Sequence, residues 1–282
     1  MKQILLATDL SGRSDRAAAR AALLARKHGA RLTALHVVDD ELPQPVAERQ
    51  KTDAENALRQ TFVNMPHASD LDLTIDVHCG QYHEAIIETA ERLDADLIVI
   101  GKHREDVLLD LFRGSTGERV LRFGSRPVLV VKNPAGRDYL SALAAVDFSP
   151  TSRRALEFSW KLAPDAQAYL GHAFDVPFRS LTLGSTPIDQ LAKKHQRQFH
   201  DLIEEQMTDF VHMLSRPLDR RFFIAREGSP ESVVLALISE LKAELLVLGT
   251  HGRSGLGRAI LGSVAEALLA SAPCDVLAVR GW

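Results

Sequence analysis

The chain has 282 residues, of which 45% are hydrophobic and 25% are charged, and its formal net charge at pH 7 is -3. This length suffices for two domains with a core in each, and the composition is typical of globular domains. The small net charge argues against non-specific binding to nucleic acid or to anionic membranes. The two cysteines, Cys79 and Cys274, are too few for a disulfide framework.

The N-terminal segment is predicted to be a strand and not a targeting signal. Residues 1–6 read MKQILL and run into Asp9, without the apolar length or the cleavage site of a signal peptide. No uninterrupted apolar run approaches the roughly 20 residues of a membrane-spanning helix. We therefore expect a cytoplasmic protein that makes no membrane contact.

Apolar runs alternate with helical patterns along the whole chain. In the first half, strands are predicted at 4–8, 32–38, 73–78, 97–100 and 128–131, and helices at 15–28, 47–64, 83–93 and 116–123. In the second half, strands are predicted at 142–146, 168–174, 221–225, 245–248 and 276–279, and helices at 152–162, 188–214, 231–241 and 260–270. Short apolar strands that alternate with helices indicate a parallel sheet covered on both faces, which right-handed crossovers make a doubly wound α/β fold.

The two halves of the chain repeat the same pattern of residues. Asp147, at the end of a predicted strand, follows Asp9 by 138 positions. Further along, four residues follow their counterparts by 148 positions: Gly228 after Gly80, Gly249 after Gly101, Gly262 after Gly114 and Val276 after Val128. We place the resulting ten-residue insertion at 175–187, where it forms either a lid over the second site or an ordinary variable surface loop.

The segment that follows the predicted strand 245–248 is the most informative one. It reads GTHGRSGLGRAILGSV, with two residues between Gly249 and Gly252 and nine between Gly252 and Gly262. A glycine-rich loop between a strand and a helix can bring backbone N–H groups and the positive end of the helix against phosphate oxygens. The loop lacks the lysine of a Walker A motif, and it follows a late strand, unlike the dinucleotide fingerprint. It therefore predicts a nucleotide site of another class.

The spacing Gly249-x2-Gly252-x9-Gly262-Ser263, with the following Ala-Pro-Cys and the last strand, resembles the ATP-binding class of universal stress proteins. The resemblance covers the chain twice, in domains at 1–134 and 138–282. It implies the strand order 3-2-1-4-5 in each domain. Relatives with one unit pair through their final strands, so it also implies that 128–131 pairs with 276–279 in an internal pseudo-dimer. Further homodimerisation stays open.

The resemblance assigns binding roles to residues of the second half. Asp147 would accept hydrogen bonds from ribose hydroxyls, although a helix-capping or turn aspartate is the alternative reading. Gly249 would let the ribose approach, and Gly252 the phosphates. The remaining implied contacts are the backbone at Ala173 for adenine, the loop residues His251, Arg253 and Arg258, and the N–H groups and hydroxyl at the start of the last helix, Gly262, Ser263 and Val264.

The first half departs from this pattern at Arg104, which stands where the second glycine is expected. A positive φ is costly for arginine, and its side chain would block the phosphate channel. Charged residues surround it, with the acidic ones partly offset by the basic ones: Glu105, Asp106, Asp110, Lys102 and Arg113. A weaker first site would consist of Asp9, Val37, Gly101, Gly114 and Ser115. We expect it to be empty or to hold a smaller anion or a mononucleotide.

Other constellations are less specific. His78, Cys79 and His83 would supply too few ligands for a zinc site, so we expect a half-buried cysteine with surface histidines. His195 and His200 are five apart, off the face that a helical pair needs to chelate a metal. No Gly-x-Ser-x-Gly elbow supports a serine hydrolase. We therefore predict neither catalytic residues nor metal ligands.

These observations predict an ATP-binding regulator or sensor of the stress response, with Mg²⁺ carried by the phosphates. The nucleotide would order the glycine loop and stabilise a surface for a protein partner. Little or no turnover is expected, because no general base stands out. The alternatives are a nucleotide-independent interaction module, a slow ATP hydrolase, and a flavin-binding or electron-transfer domain of related topology.

Overall fold

The computed structural model describes residues 1–66, 68–102, 114–175, 201–250 and 261–281. Four features singled out in the sequence lie wholly or largely outside these ranges: the loop of Arg104, the insertion at 175–187, the pair His195 and His200, and the loop of His251, Gly252, Arg253 and Arg258.

The described residues of the first half form five strands and four α-helices. In chain order they are β1 (Gln3–Ala7), α1 (Ser14–His28), β2 (Arg31–Val38), α2 (Gln44–Val63), β3 (Leu73–Cys79), α3 (Tyr82–Arg92), β4 (Leu97–Gly101), α4 (Thr116–Phe123) and β5 (Val128–Val131). A short 3-10 helix at Ala68–Asp70 precedes β3.

The second half repeats this series. Its elements are β6 (Ser141–Ala145), α5 (Pro150–Leu162), β7 (Gln167–Phe174), a helix α6 whose described part is 201–212, β8 (Phe223–Glu227), α7 (Pro230–Leu241), β9 (Leu245–Gly249), α8 (Ser263–Ser271) and β10 (Asp275–Val279). A 3-10 helix at Arg220–Phe222 leads into β8, and for this reason the strand begins two residues later than predicted. Helix α8 begins at Ser263, after the predicted start at 260, because Gly262 is its N-cap in an extended conformation.

All ten strands form one sheet, in the order β3-β2-β1-β4-β5-β10-β9-β6-β7-β8. Each half therefore has the predicted order 3-2-1-4-5, with parallel neighbours. The halves join where β5 and β10 pair antiparallel, with Val130 opposite Val276 and Leu129 opposite Leu277. This pairing confirms the internal pseudo-dimer.

Helices cover both faces of the sheet, so the strands are apolar on both sides. In β1, Ile4 and Leu6 belong to the core on the face covered by α1, α2, α5 and α6, whereas Leu5 belongs to the core on the face covered by α3, α4, α7 and α8. All five residues of β1 are buried. Among the described helices, none is long and apolar enough to cross a membrane.

In each half, a basic side chain donates hydrogen bonds to carbonyl groups at the C-terminal end of a helix in the other half. Lys132 Nζ donates to the carbonyls of Leu269 (2.7 Å) and Ala272 (2.6 Å) at the end of α8. At the equivalent position of the second half, Arg280 donates to the carbonyl of Gly124 (2.8 Å), which caps α4. Cations are favourable at helix C-termini, where carbonyl groups lack partners. Burial lowers the pKa of Lys132 to about 8.

A buried carboxylate fixes the connection between the halves. Asp275 is 1% exposed and accepts hydrogen bonds from Lys132 N (2.8 Å), Asn133 N (3.0 Å) and the Tyr139 hydroxyl (2.6 Å). Arg20 Nε lies 3.6 Å from the same carboxylate, and its guanidinium stacks over the Tyr139 ring at 3.9 Å. Burial raises the pKa of Tyr139 well above its usual value. Residues 132–139, which connect the two halves, are therefore held against the second half.

Candidate nucleotide site

The carboxyl ends of three neighbouring strands meet at equivalent places in the two halves. In the second half, Ala145 of β6 pairs with Gly171 of β7 and with Leu248 of β9. Asp147 therefore follows the end of β6, and Ala173 and Gly249 lie at the carboxyl ends of its neighbours β7 and β9, at the point where the strand order reverses. In doubly wound sheets, ligands bind in the crevice at this point.

Asp147 stabilises a tight turn between β6 and α5. Its Oδ1 accepts a hydrogen bond from Ser149 N (3.0 Å), and Phe148 between them has a φ of +62°. The cap of α5 is Ser149, whose hydroxyl accepts from Ser152 N (3.2 Å). Asp147 is thus a turn residue and not the helix cap. Its proposed contact with ribose remains a prediction.

The first half forms the same turn at Asp9. Its Oδ1 accepts from Ser11 N (3.0 Å), Ser11 Oγ (2.6 Å) and Ser14 Oγ, and Leu10 has a φ of +60°. Burial by itself would raise the pKa of Asp9, but these hydrogen bonds outweigh it and hold that pKa below its usual value. Asp9 is therefore ionised at neutral pH.

Two histidines beside the turns were not recognised as site residues from the sequence. His36 Nδ1 lies 2.9 Å from the carbonyl of Thr8, and His172 Nδ1 lies 2.8 Å from the carbonyl of Val146. Since a carbonyl accepts only, Nδ1 carries the proton in both rings. The sequence could have indicated them, because each histidine directly precedes a residue predicted to belong to a site, Val37 or Ala173.

Gly249 is required by packing in addition to any role in binding. A Cβ there would lie 2.9 Å from Thr151 Cγ2 and 3.1 Å from Ser152 N, in the first turn of α5. Gly101 is less crowded, with the nearest atoms, in Arg13 and Ser14, at 3.4 Å. The strand end touches the helix start in both halves, which gives these glycines a structural reason besides the predicted approach of a ribose.

The start of α8 carries three of the predicted contacts. The N–H of Gly262 donates to the Thr250 carbonyl at 2.9 Å, and its donation to a phosphate remains a prediction. Ser263 and Val264 are exposed in the first turn of α8. The N-cap glycine gives this helix no side-chain cap. The positive end of α8 is therefore presented at the surface through Ser263 and Val264.

The start of α4, at the equivalent place, is closed by its own side chains. Ser115 is the N-cap, and its hydroxyl accepts from Glu118 N (3.1 Å). The Glu118 carboxylate accepts from Gly114 N, and Gly114 has a φ of +76°. This arrangement resembles a capping box. Because Glu118 is 7% exposed, its negative charge is held at the end of α4 that would attract an anion.

A cavity of about 500 Å³ lies at the sheet edge of the first half. Of the five residues predicted for the weaker site, Asp9, Val37, Gly101 and Ser115 line it, and Gly114 does not. The sequence suggested that this half had the poorer site, yet the cavity has the volume of a small-molecule site. In the second half, Asp147, Ala173, Gly249, Ser263 and Val264 are described, whereas the predicted contacts His251, Gly252 and Arg253 lie outside the described residues.

His78, Cys79 and His83 do not form a metal site, since no three His, Cys, Asp or Glu residues within the described ranges are grouped so that they could hold a metal ion. His78 Nδ1 lies 3.1 Å from Asp76 Oδ1, and Cys79 is half-buried, as predicted.

Comparison with known proteins places these features in a family. The sequence model of the universal stress protein family matches residues 1–132 and again 139–280. A universal stress protein of Mycolicibacterium smegmatis is 27% identical over 305 aligned positions, covering 98% of this chain and 96% of that protein. Universal stress protein E of Photorhabdus laumondii is 26% identical, covering 79% and 73% respectively.

Solved structures share the fold. The crystal structure of a universal stress protein from Archaeoglobus fulgidus is similar with a TM-score of 0.69 and 21% identity, covering 99% of this chain and 98% of the other. A protein from Pseudomonas aeruginosa described as a putative universal stress protein has a TM-score of 0.64 and 22% identity, with 99% and 93% covered. With two family matches along one chain and the corresponding two-fold repeat of strands and turns, this chain belongs to the universal stress protein family, as a tandem member.

Proposed function

We propose that this protein binds ATP in its C-terminal half and acts in the cytoplasm as a regulator or sensor of the stress response. The observation that carries the proposal is the uncapped start of α8 beside the crevice at Asp147 and Gly249. Ser263 and Val264 lie exposed there, where helix N–H groups favour phosphate.

The contrast between the halves supports placing ATP in the second one. At α4, the Glu118 carboxylate already accepts a hydrogen bond from Gly114 N, whereas the start of α8 has no side-chain cap. A triphosphate carries several negative charges, so it binds less favourably at the start of α4, where the Glu118 carboxylate is buried. The first half would then not bind ATP.

The proposed mechanism is a linkage between nucleotide binding and the conformation of the glycine loop. A ligand that binds only the ordered form shifts the population towards that form and raises its stability. Asp147 would hold the ribose, the backbone at Ala173 the adenine, and the loop with His251, Gly252 and Arg253 the phosphates. The ordered surface would then contact a protein partner.

Turnover is proposed to be slow or absent. Phosphoryl transfer needs a positioned water or acceptor and neutralisation of the phosphate charge. Asp147 is tied into a turn by Ser149, which suits binding better than proton transfer. Magnesium would be held by the ATP phosphates and not by a dedicated set of protein ligands. A slow ATP hydrolase and a nucleotide-independent interaction module are the competing functions.

The test is nucleotide content followed by titration. Protein purified and then denatured should release about one ATP per chain, identified by mass, and calorimetric titration of the emptied protein should restore one equivalent. Gly252→Val should abolish this binding, whereas the matched lesion Arg104→Val in the first half should leave it unchanged. Equal losses from both lesions would contradict the assignment to the second half. No nucleotide and no binding on titration would favour the interaction module, and steady-state phosphate release would favour the hydrolase.

A further inference from the structure

We propose that the cavity of the N-terminal half takes an uncharged, hydroxyl-bearing ligand with a flat apolar body, of the nucleoside class, and rejects its phosphorylated forms. This inference rests on the proposed function in its choice of nucleosides as ligands, but it assigns the two halves of the chain to different ligands. The cavity walls, their charges and the closed start of α4 carry it.

The walls of the cavity suit an apolar body. They include Val37 of β2, Ile86 of α3, Ile100 of β4, Val120 of α4 and Val130 of β5. These aliphatic side chains come from neighbouring strands and from the two helices that cover them. A volume of about 500 Å³ accommodates a small organic molecule that buries its rings between such walls.

Asp9 at the edge of the cavity suits hydroxyl groups. It is ionised at neutral pH, and the hydrogen bonds from Ser11 and Ser14 all go to Oδ1. A carboxylate has two oxygens, so Oδ2 keeps acceptor capacity for a ligand that donates. A sugar with neighbouring hydroxyls can donate such bonds, whereas a phosphate dianion can only accept and would be repelled.

The charges of the described lining residues leave no surplus for a phosphate. Two carboxylates, Asp9 and Asp39, stand against two ammonium groups, Lys102 and Lys132. Lys132 Nζ already donates to the carbonyls of Leu269 and Ala272. Its ammonium is therefore committed to closing α8.

Among the described residues at the cavity, the start of α4 is also satisfied internally. The Ser115 hydroxyl and the buried Glu118 carboxylate accept from backbone N–H groups of the helix start, so an incoming phosphate would have to displace a carboxylate. Helix α8, by contrast, begins after Gly262, an N-cap residue that has no side chain.

The experiment compares adenosine, AMP and ATP by calorimetric titration of the full chain. In the variant Asp147→Asn, which alters the second site, one equivalent of adenosine should still bind, and AMP should bind this position at least tenfold more weakly. Asp9→Asn, the matched change in the first half, should weaken adenosine at least tenfold. Glu118→Gln removes the charge and keeps an acceptor for Gly114 N, so it should reduce the adenosine preference over AMP at least threefold. Glu266→Gln is its control and should leave that preference unchanged.

Two results would overturn the inference. One is AMP or ATP binding to the N-terminal half as tightly as adenosine. The other is adenosine binding that follows Asp147 and ignores Asp9, or no adenosine binding at all. The proposed function fails separately, through ATP binding that is absent or insensitive to changes at Asp147 and Gly252, whatever adenosine does. Since Glu118→Gln tests the preference between two ligands in one protein, a loss of stability at Asp9 would not hide the result.

Discussion

Replacing Ser263 with aspartate separates helix stability from nucleotide binding, because the two effects have opposite signs. Ser263 is exposed and is the first residue of α8, after a glycine N-cap that offers no side chain. A carboxylate in the first turn interacts favourably with the helix dipole, by about 0.3–1 kcal/mol. The apo variant should therefore be as stable as the parent or slightly more stable.

The same carboxylate should repel a phosphate that binds at this helix start. Two unit charges about 5 Å apart repel by roughly 1 kcal/mol in bulk water and by about 3 kcal/mol at an effective dielectric constant of 20. A value of about 2 kcal/mol, intermediate because the site is at the surface, corresponds to roughly thirtyfold weaker binding of ATP. The effect should shrink in high salt.

Thermal unfolding without nucleotide and calorimetric titration with ATP measure the two effects in one preparation. Ser263→Asn is the control, since asparagine has the shape of aspartate without its charge. This variant should bind ATP within about threefold of the parent. Unchanged ATP affinity in the stable Ser263→Asp protein would refute the placement of phosphate at α8. A loss of affinity accompanied by a loss of apo stability would refute the argument from the helix dipole.

Two further predictions concern stability. Gly249→Ala should destabilise the nucleotide-free protein by about 1–3 kcal/mol, since its Cβ would lie 2.9 Å from Thr151 Cγ2. Gly101→Ala is the matched variant, with no atom nearer than 3.4 Å to its Cβ, and should cost less than about 1 kcal/mol. Urea unfolding measures both changes. Because burial lowers the pKa of Lys132 from 10.5 to about 8, unfolding takes up a proton between these values, so the free energy of unfolding should rise with pH by up to about 3 kcal/mol across this window. The measurement belongs in a Cys274→Ala background, because burial raises the pKa of that thiol to about 11 and gives the opposite slope. A slope that survives Lys132→Met would contradict this origin.

The fold was predictable because it depends on patterns that a single sequence displays. Apolar strands repeat with glycines at constant separation. The family resemblance implied that the final strands 128–131 and 276–279 pair, and the structure places Leu129 opposite Leu277. The turn at Asp147 was also foreseen as one of two alternatives.

The details that could not be predicted from the sequence depend on which individual atoms form hydrogen bonds. The N–H of Gly262 is used by Thr250, and no residue pattern distinguishes such a committed N–H from one that can bind a ligand. Glu118 and Glu266 occupy equivalent positions, but the two helices begin differently. In α4 the N-cap is Ser115, whereas in α8 the N-cap is Gly262 and the equivalent serine, Ser263, is the first helical residue. The position of the candidate site could therefore be predicted from the sequence, while its hydrogen bonding could not.

The pairing of β5 with β10 also bears on how the protein behaves at low concentration. Only three residue pairs are in register there, from Val128 to Val130 against Val276 to Ala278. In two separate chains, this pairing would depend on the protein concentration. On one chain, the short connection from Val131 to Ser141 keeps the two strands at an effective concentration on the order of millimolar. Both halves therefore stay paired even when only a few copies of the protein are present.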